Sequence, residues 1–180
     1  RKAALLTRQK VLYAAMQLFA AKGYQKTTAR EIAKRAGVTY GALYHHFKDK
    51  KALLLEANRL RVEKLFKVIA LSFAREEDFF KALETCFRLL FAAVSHDPIL
   101  FGIVREFNGM ALTDPDMNRM HNEIDLRLRR MFLEEIEKRR TALSPEQHLC
   151  LARMFNVILE RLLMLTLPKP PLIGPPESLI

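Results

Sequence analysis

The 180-residue chain has no Trp, only two Cys and six Gly, and no apolar run free of charge that is long enough to cross a bilayer. Each shortage excludes something. Cys86 and Cys150 stand alone without CxxC spacing, and no secretory leader is expected, which argues against a disulfide scaffold. Both are expected to be reduced core thiols of a cytoplasmic protein. The longest apolar stretch, Leu149 to Leu167, is broken by Arg153, Glu160 and Arg161, so a helix buried on several faces is expected there and no membrane association. Few turn-forming glycines and no segment alternating with period two argue against a sheet. What the chain does hold is apolar material for a sizeable core: half its residues are hydrophobic, with 12 Phe and 7 Met. The expected class is all-α.

Charge is distributed unevenly. Residues 1–67 carry 16 Lys or Arg against Glu31, Asp49, Glu56 and Glu63, a balance of +12, while the remainder is close to neutral at −2. A basic third joined to an apolar, near-neutral body is the electrostatic footprint of a nucleic-acid module attached to something with another task. A solvated basic surface without a partner has the same charge, so the pattern of residues must decide.

Thr7 can cap a first helix carrying Val11, Ala15, Leu18 and Phe19, and Gly23 is placed to end it. Thr28 with Glu31 three residues on has the capping-box form and opens a short helix that stops at Gly37. Thr39 caps another short helix to Phe47, and Asp49 a long one through Leu53, Leu54, Ala57, Leu60, Leu65 and Val68 that would act as a strut. Later helix starts fall at Glu76-Glu77-Asp78, Asp97-Pro98, Asp114-Pro115-Asp116 and Ser144-Pro145. The tail from Pro168 to Pro176 holds five prolines, with the form of a further helix start at Pro175.

Two short helices flanking a Gly-containing turn make a helix-turn-helix over about residues 28–47, whose second helix would enter the DNA major groove. The run Thr28-Ala29-Arg30-Glu31-Ile32-Ala33, then Ala36-Gly37-Val38-Thr39, Gly41-Ala42-Leu43-Tyr44-His45-His46-Phe47 and Lys50-Lys51-Ala52-Leu53, with Leu18, Phe19, Gly23 and Tyr24 upstream, resembles the TetR family over residues 6–66. Chemistry assigns roles as well. Gly37 lets the chain turn with positive φ, and Ile32, Val38, Leu43 and Phe47 form a small core. Thr39, Tyr40, Gly41, Ala42, His45 and His46 are left on the start and outer face of the second helix, Tyr44 offers a hydroxyl to a phosphate, and Lys50 offers a charge and a backbone amide. The resemblance implies that Thr28, Arg30, Tyr44 and Lys50 clamp the DNA backbone while Thr39, Tyr40 and Ala42 touch bases. With no Arg, Asn or Gln from Thr39 to Phe47, bidentate base reading is closed to this helix except through His.

For residues 67–180 the resemblance implies a helical-bundle domain for ligand and dimerisation. Met117, Met120, Ile124, Leu128 and Met131 form one apolar stripe, and Leu149, Ala152, Phe155, Leu159 and Leu162 another. Met131, Leu149, Phe155, Leu159 and Leu162 are the candidate homodimer contacts, an internal core stripe being the other reading. Phe87, Phe91, Phe101, Phe107 and Met110, with Asn108 and His121 as polar anchors, are the candidate pocket for an apolar or aromatic effector; a plain core needs the same Phe residues. His45-His46 point about 100° apart on a helix without other ligands nearby, so no metal or other cofactor is expected. No nucleophile elbow, phosphate loop or paired acid suggests an enzyme. The expected activity is that of a ligand-responsive transcriptional repressor, a homodimer on a palindromic operator. The alternative is an architectural nucleic-acid binder without an effector.

Overall fold

Lys2 to Leu6 are good helix formers, and nothing among them stops a helix. In the computed structural model α1 accordingly runs Lys2–Lys22, and Thr7 lies inside it and not at its start. The structure describes residues 2–139 and 143–165, without the side chains of 2–3, 93–96, 98, 100–101 and 160–165. Among the described residues seven more helices follow: α2 (Ala29–Ala36), α3 (Tyr40–His46), α4 (Lys50–Arg75), α5 (Phe79–His96), α6 (Pro98–Ala111), α7 (Pro115–Lys138) and α8 (Pro145–Leu165). No strand occurs among the described residues. The proline-rich tail lies outside them.

Local chemistry sets the boundaries. Gly23 and Gly37 close α1 and α2 with φ of +88° and +67°, where a side chain would be strained. Thr28, Thr39, Asp49, Asp78 and Asp114 each accept a backbone N–H from the first turn of the helix they precede. Pro115 occupies the first turn of α7, where a missing N–H costs nothing.

Two cores result. The first gathers Val11, Ala15 and Phe19 of α1, Ile32, Leu43 and Phe47 of the short helices, and Leu53, Leu54 and Ala57 of α4. It also takes in Ile103, Phe107 and Ala111 of α6 and Met117 of α7, so it draws on residues from both sides of position 66. The second joins the far half of α4 with α5, α7 and α8 around Phe73, Phe79, Phe132 and Phe155, and the Phe132 and Phe155 rings stack at 4.2 Å. Where α1 crosses α6 the backbones nearly touch, and a Cβ built on Gly102 would lie 2.3 Å from Ala20 Cα.

The α8 stripe of Ala152, Phe155 and Leu159 faces the second core, so Cys150, two residues from Ala152 and about 200° around the helix, is exposed. This corrects the expectation that both thiols are core residues; only Cys86 is buried. α8 is also not buried on several faces within the chain: Leu149, Met154, Val157 and Ile158 lie exposed.

Candidate nucleic-acid interface

Thr39 caps α3 by accepting the Ala42 N–H at 3.2 Å, and the buried Leu43 and Phe47 hold the helix on the first core. This turns Tyr40 and Tyr44, four residues apart, onto one exposed face. Their rings meet edge to face at 4.8 Å, and the Tyr40 hydroxyl donates to that of Tyr44 at 3.3 Å. The guanidinium of Arg30, on α2, lies 5.9 Å from the centre of the Tyr40 ring. That hydrogen bond, with lesser contributions from desolvation and neighbouring charge, raises the Tyr44 pKa above its usual 10, so the hydroxyl keeps its proton at neutral pH. Arg30, Tyr40 and Tyr44 thus form one surface of donors and aromatic edges.

Gly41 lies on this helix with no atom within 4 Å of where its Cβ would be. Glycine costs about 1 kcal/mol relative to alanine inside a helix. Nothing among the described residues needs its smallness. Thr39 and His45 are exposed beside it, with Ala42 and His46 half-buried.

Thr28 is exposed, but its hydroxyl already serves the capping box, accepting the Glu31 N–H and donating to the Glu31 carboxylate at 2.8 Å. Hydrogen bonds from Lys22 first, then from the Thr28 backbone and hydroxyl, hold Glu31 down at about 2. Lys50 is turned inward. Its ammonium donates to the carbonyls of Tyr24 and Thr27, both at 2.9 Å, and stands 4.2 Å from the Tyr24 ring centre. Burial lowers its pKa. In this arrangement the charge satisfies loop carbonyls, leaving the backbone amide as the group that could meet a phosphate.

Several residues without a motif join this module to the body. Glu106 of α6 accepts the Tyr24 N–H at 2.7 Å, and Lys51 pairs with Asp114 and Asp116 at the start of α7, each at 2.7 Å. Within the module itself, Arg8 of α1 pairs with Glu56 of α4 at 2.7 Å. A single acidic or basic residue at such positions gives no signal in a sequence.

The candidate pocket residues do not converge. Phe107 is sealed in the first core with Met110 packed on its edge, Phe87 lies against Phe155, and Phe91 is exposed. The Phe101 side chain lies outside the described residues. Only Asn108 and His121 share a cavity, about 40 Å³ in volume, and its other polar walls are Arg61, Asp125 and Asn156, none of which the sequence pattern singled out. Of the candidate dimer contacts, Phe155 and Leu159 are buried in the second core, Met131 packs on it, and Leu149 is exposed. The Leu162 side chain is outside the described residues. Among these residues no group of three or more His, Cys, Asp or Glu is placed to hold a metal, and no helix is long and apolar enough to cross a membrane.

Residues 11–57 match the family described as bacterial regulatory proteins, tetR family. The chain is 54% identical over 50 residues to the HTH-type transcriptional regulator AcrR of Shigella flexneri, a stretch covering 28% of this chain and 23% of that one. It is 42% identical over 59 residues to the HTH-type transcriptional repressor KstR2 of Mycolicibacterium smegmatis, covering 33% and 29%. The matched stretches therefore span less than a third of these relatives' lengths. In fold, the chain is similar to a transcriptional regulator from Aquifex aeolicus with a TM-score of 0.68 at 23% identity, over 88% of this chain and 85% of that one. Residues 11–57 thus carry the helix-turn-helix of the tetR family of bacterial regulatory proteins, on an all-helical body similar in fold to that of a solved regulator.

Proposed function

We propose that this protein is a sequence-specific transcriptional regulator, a ligand-responsive repressor that binds a near-palindromic operator as a homodimer. The observation that carries the reading is the outer face of α3. There Gly41 leaves open space beside the exposed Tyr40 and Tyr44, on a module with a surplus of positive charge. A protein that only attracted phosphates would need the charge but not a clearance for close approach at one helix. Tyr44, Arg30 and Thr28 fix the module on the backbone, joined by the Lys50 backbone amide. Thr39, Tyr40, Gly41 and Ala42 meet base edges, flanked by His45 and His46.

A two-fold dimer presents two α3 helices to half-sites roughly 34–36 Å apart, or a multiple of that. The exposed apolar face of α8, with Leu149, Met154, Val157 and Ile158, supports α8 as the dimer seam, since water-exposed apolar patches are costly in a lone chain. An effector would act by favouring the spacing of the α3 pair that does not fit the operator.

The test is selection from random duplex DNA at about physiological salt, where non-specific phosphate attraction is suppressed. Enrichment of one inverted repeat, lost in Tyr44→Ala while the helical signal persists, is the expected result. Retention without sequence preference would replace this reading with that of an architectural binder.

A further inference from the structure

Arg61 of α4 stands between two cavities. One is the 40 Å³ space enclosed by α4, α6, α7 and α8, where it faces Asn108, His121, Asp125 and Asn156. The other is a crevice of about 430 Å³ between α1, α4 and the start of α6, walled by the apolar Tyr13, Met16, Leu60 and Ile99 and by the charged Glu63, Lys64, Lys67 and Asp97. The first has room for only a few waters or a carboxylate-sized group, and the second for the body of a small organic molecule.

Arg61 is a half-buried cation that no described carboxylate neutralises. Its Nε donates to Oδ1 of the fully buried Asn58 at 2.9 Å, and among the described residues no carboxylate lies within ion-pair distance of it. Desolvation alone brings its pKa down to about 10, so it stays charged at neutral pH. The carboxylate of the smaller cavity, Asp125, is occupied by Arg129 and by the Asn156 side-chain amide, and Glu63 in the crevice pairs with Arg59. A desolvated cation without an anion is costly and is retained where something else supplies the anion.

We propose that Arg61 anchors an effector that is an organic anion, its acidic group paired with the guanidinium and its apolar body lying in the crevice against Tyr13, Met16, Leu60 and Ile99. Guanidinium is suited to this, because its planar fork meets a carboxylate with two parallel hydrogen bonds. The ligand class deepens the reading of a ligand-responsive regulator and rests on it. The crevice also provides the transmission: its far wall is α1, which braces α2 and α3, so a body lodged between α1 and α4 shifts the reading helix.

The experiment uses the full chain and three matched probes, 4-phenylbutyrate, 4-phenylbutanol and 4-phenylbutylamine, with inorganic phosphate as a control for general anion attraction. Binding is read as the rise in thermal midpoint and as the release of a selected operator duplex. The acid is expected to raise the midpoint well above the alcohol, the amine and phosphate. Arg61→Gln should weaken it roughly tenfold or more, with Arg61→Lys recovering part of the loss. Equal effects of acid and alcohol on the unmutated protein, no effect of any probe, or full binding of the acid by folded Arg61→Gln would overturn the proposal. The acid-over-alcohol preference needs no variant, so a misfolded Arg61→Gln does not rescue or sink it. If the acid binds through Arg61 but no inverted repeat is ever enriched, the regulator reading fails and the anion site stands. The reverse pair of results removes the anion site alone.

Discussion

Gly102 and Gly109 lie seven residues apart on α6, and their surroundings demand opposite outcomes from the same substitution. A methyl on Gly102 would fall 2.3 Å from Ala20 Cα and 2.4 Å from Ala20 Cβ, with the Ala20 carbonyl carbon at 3.2 Å. Ordinary contact begins near 3.4 Å, so α1 and α6 must part by about 1.1 Å, and backbone cannot move aside as a flexible side chain can. Overpacking of this kind costs about 1–3 kcal/mol. The upper end is expected because the parting helices also separate Phe19 and Ile103 in the shared core. Alanine's better helix propensity returns about 1 kcal/mol, leaving a net loss of about 2 kcal/mol for Gly102→Ala. Gly109→Ala meets nothing within 4 Å and should gain about 0.5–1 kcal/mol. Urea unfolding at fixed protein concentration reads both, as a midpoint lowered in one and raised in the other with the slope unchanged. If Gly102→Ala proves as stable as Gly109→Ala, the close approach of α1 and α6 is not what holds this interface.

Other tests bear on separate parts of the molecule. Lys50→Met keeps the side-chain stem but strips the two loop carbonyls of their donor, and a loss of about 2 kcal/mol, or roughly 4–8 °C in thermal midpoint, is expected. Unchanged stability with weakened operator binding would instead make the ammonium a phosphate clamp. Val157 is 66% exposed on α8, and Val157→Glu should give a monomer with the same helical content in sedimentation and greatly weakened operator binding; a persisting dimer would move the seam elsewhere. Glu56, bonded first by Arg59 and then by Arg8, is held at about 2 against an ordinary 4.5, as is Glu31. Carboxyls depressed in the folded state stabilise it fully above the unfolded value, so that contribution should fade as pH drops from about 4.5 toward 2. Thermal midpoints measured across that range should show a shallower fall in Glu56→Gln.

Much of the helical punctuation was legible because caps are short-range. Thr28, Thr39, Asp49, Asp114, Gly23 and Gly37 all act within four residues of themselves. α1 starts upstream of Thr7 for the complementary reason: a possible cap does not end a helix that good helix formers continue upstream. What sequence could not supply is the neighbour across the fold. Lys50 looked like a surface charge because nothing local reveals that two loop carbonyls stand within its reach. The Phe residues after position 79 were indistinguishable by type, yet Phe107 is sealed, Phe87 half-buried and Phe91 exposed. Arg61 was one of 16 basic residues in its third of the chain, and only the meeting of four helices sets it apart.

Because Ile103, Phe107, Ala111 and Met117 complete the core beneath α1, the helix-turn-helix module of this protein is not a detachable cassette. A hybrid regulator made by transplanting residues 6–66 onto another body would leave Phe19 and its neighbours facing whatever that body offers, and the salt bridges of Lys51 and the Glu106 contact to Tyr24 would be severed. Specificity swaps should therefore either carry α6 and the first turn of α7 along with the module, or exchange only the outer residues of α3 and leave the seam intact.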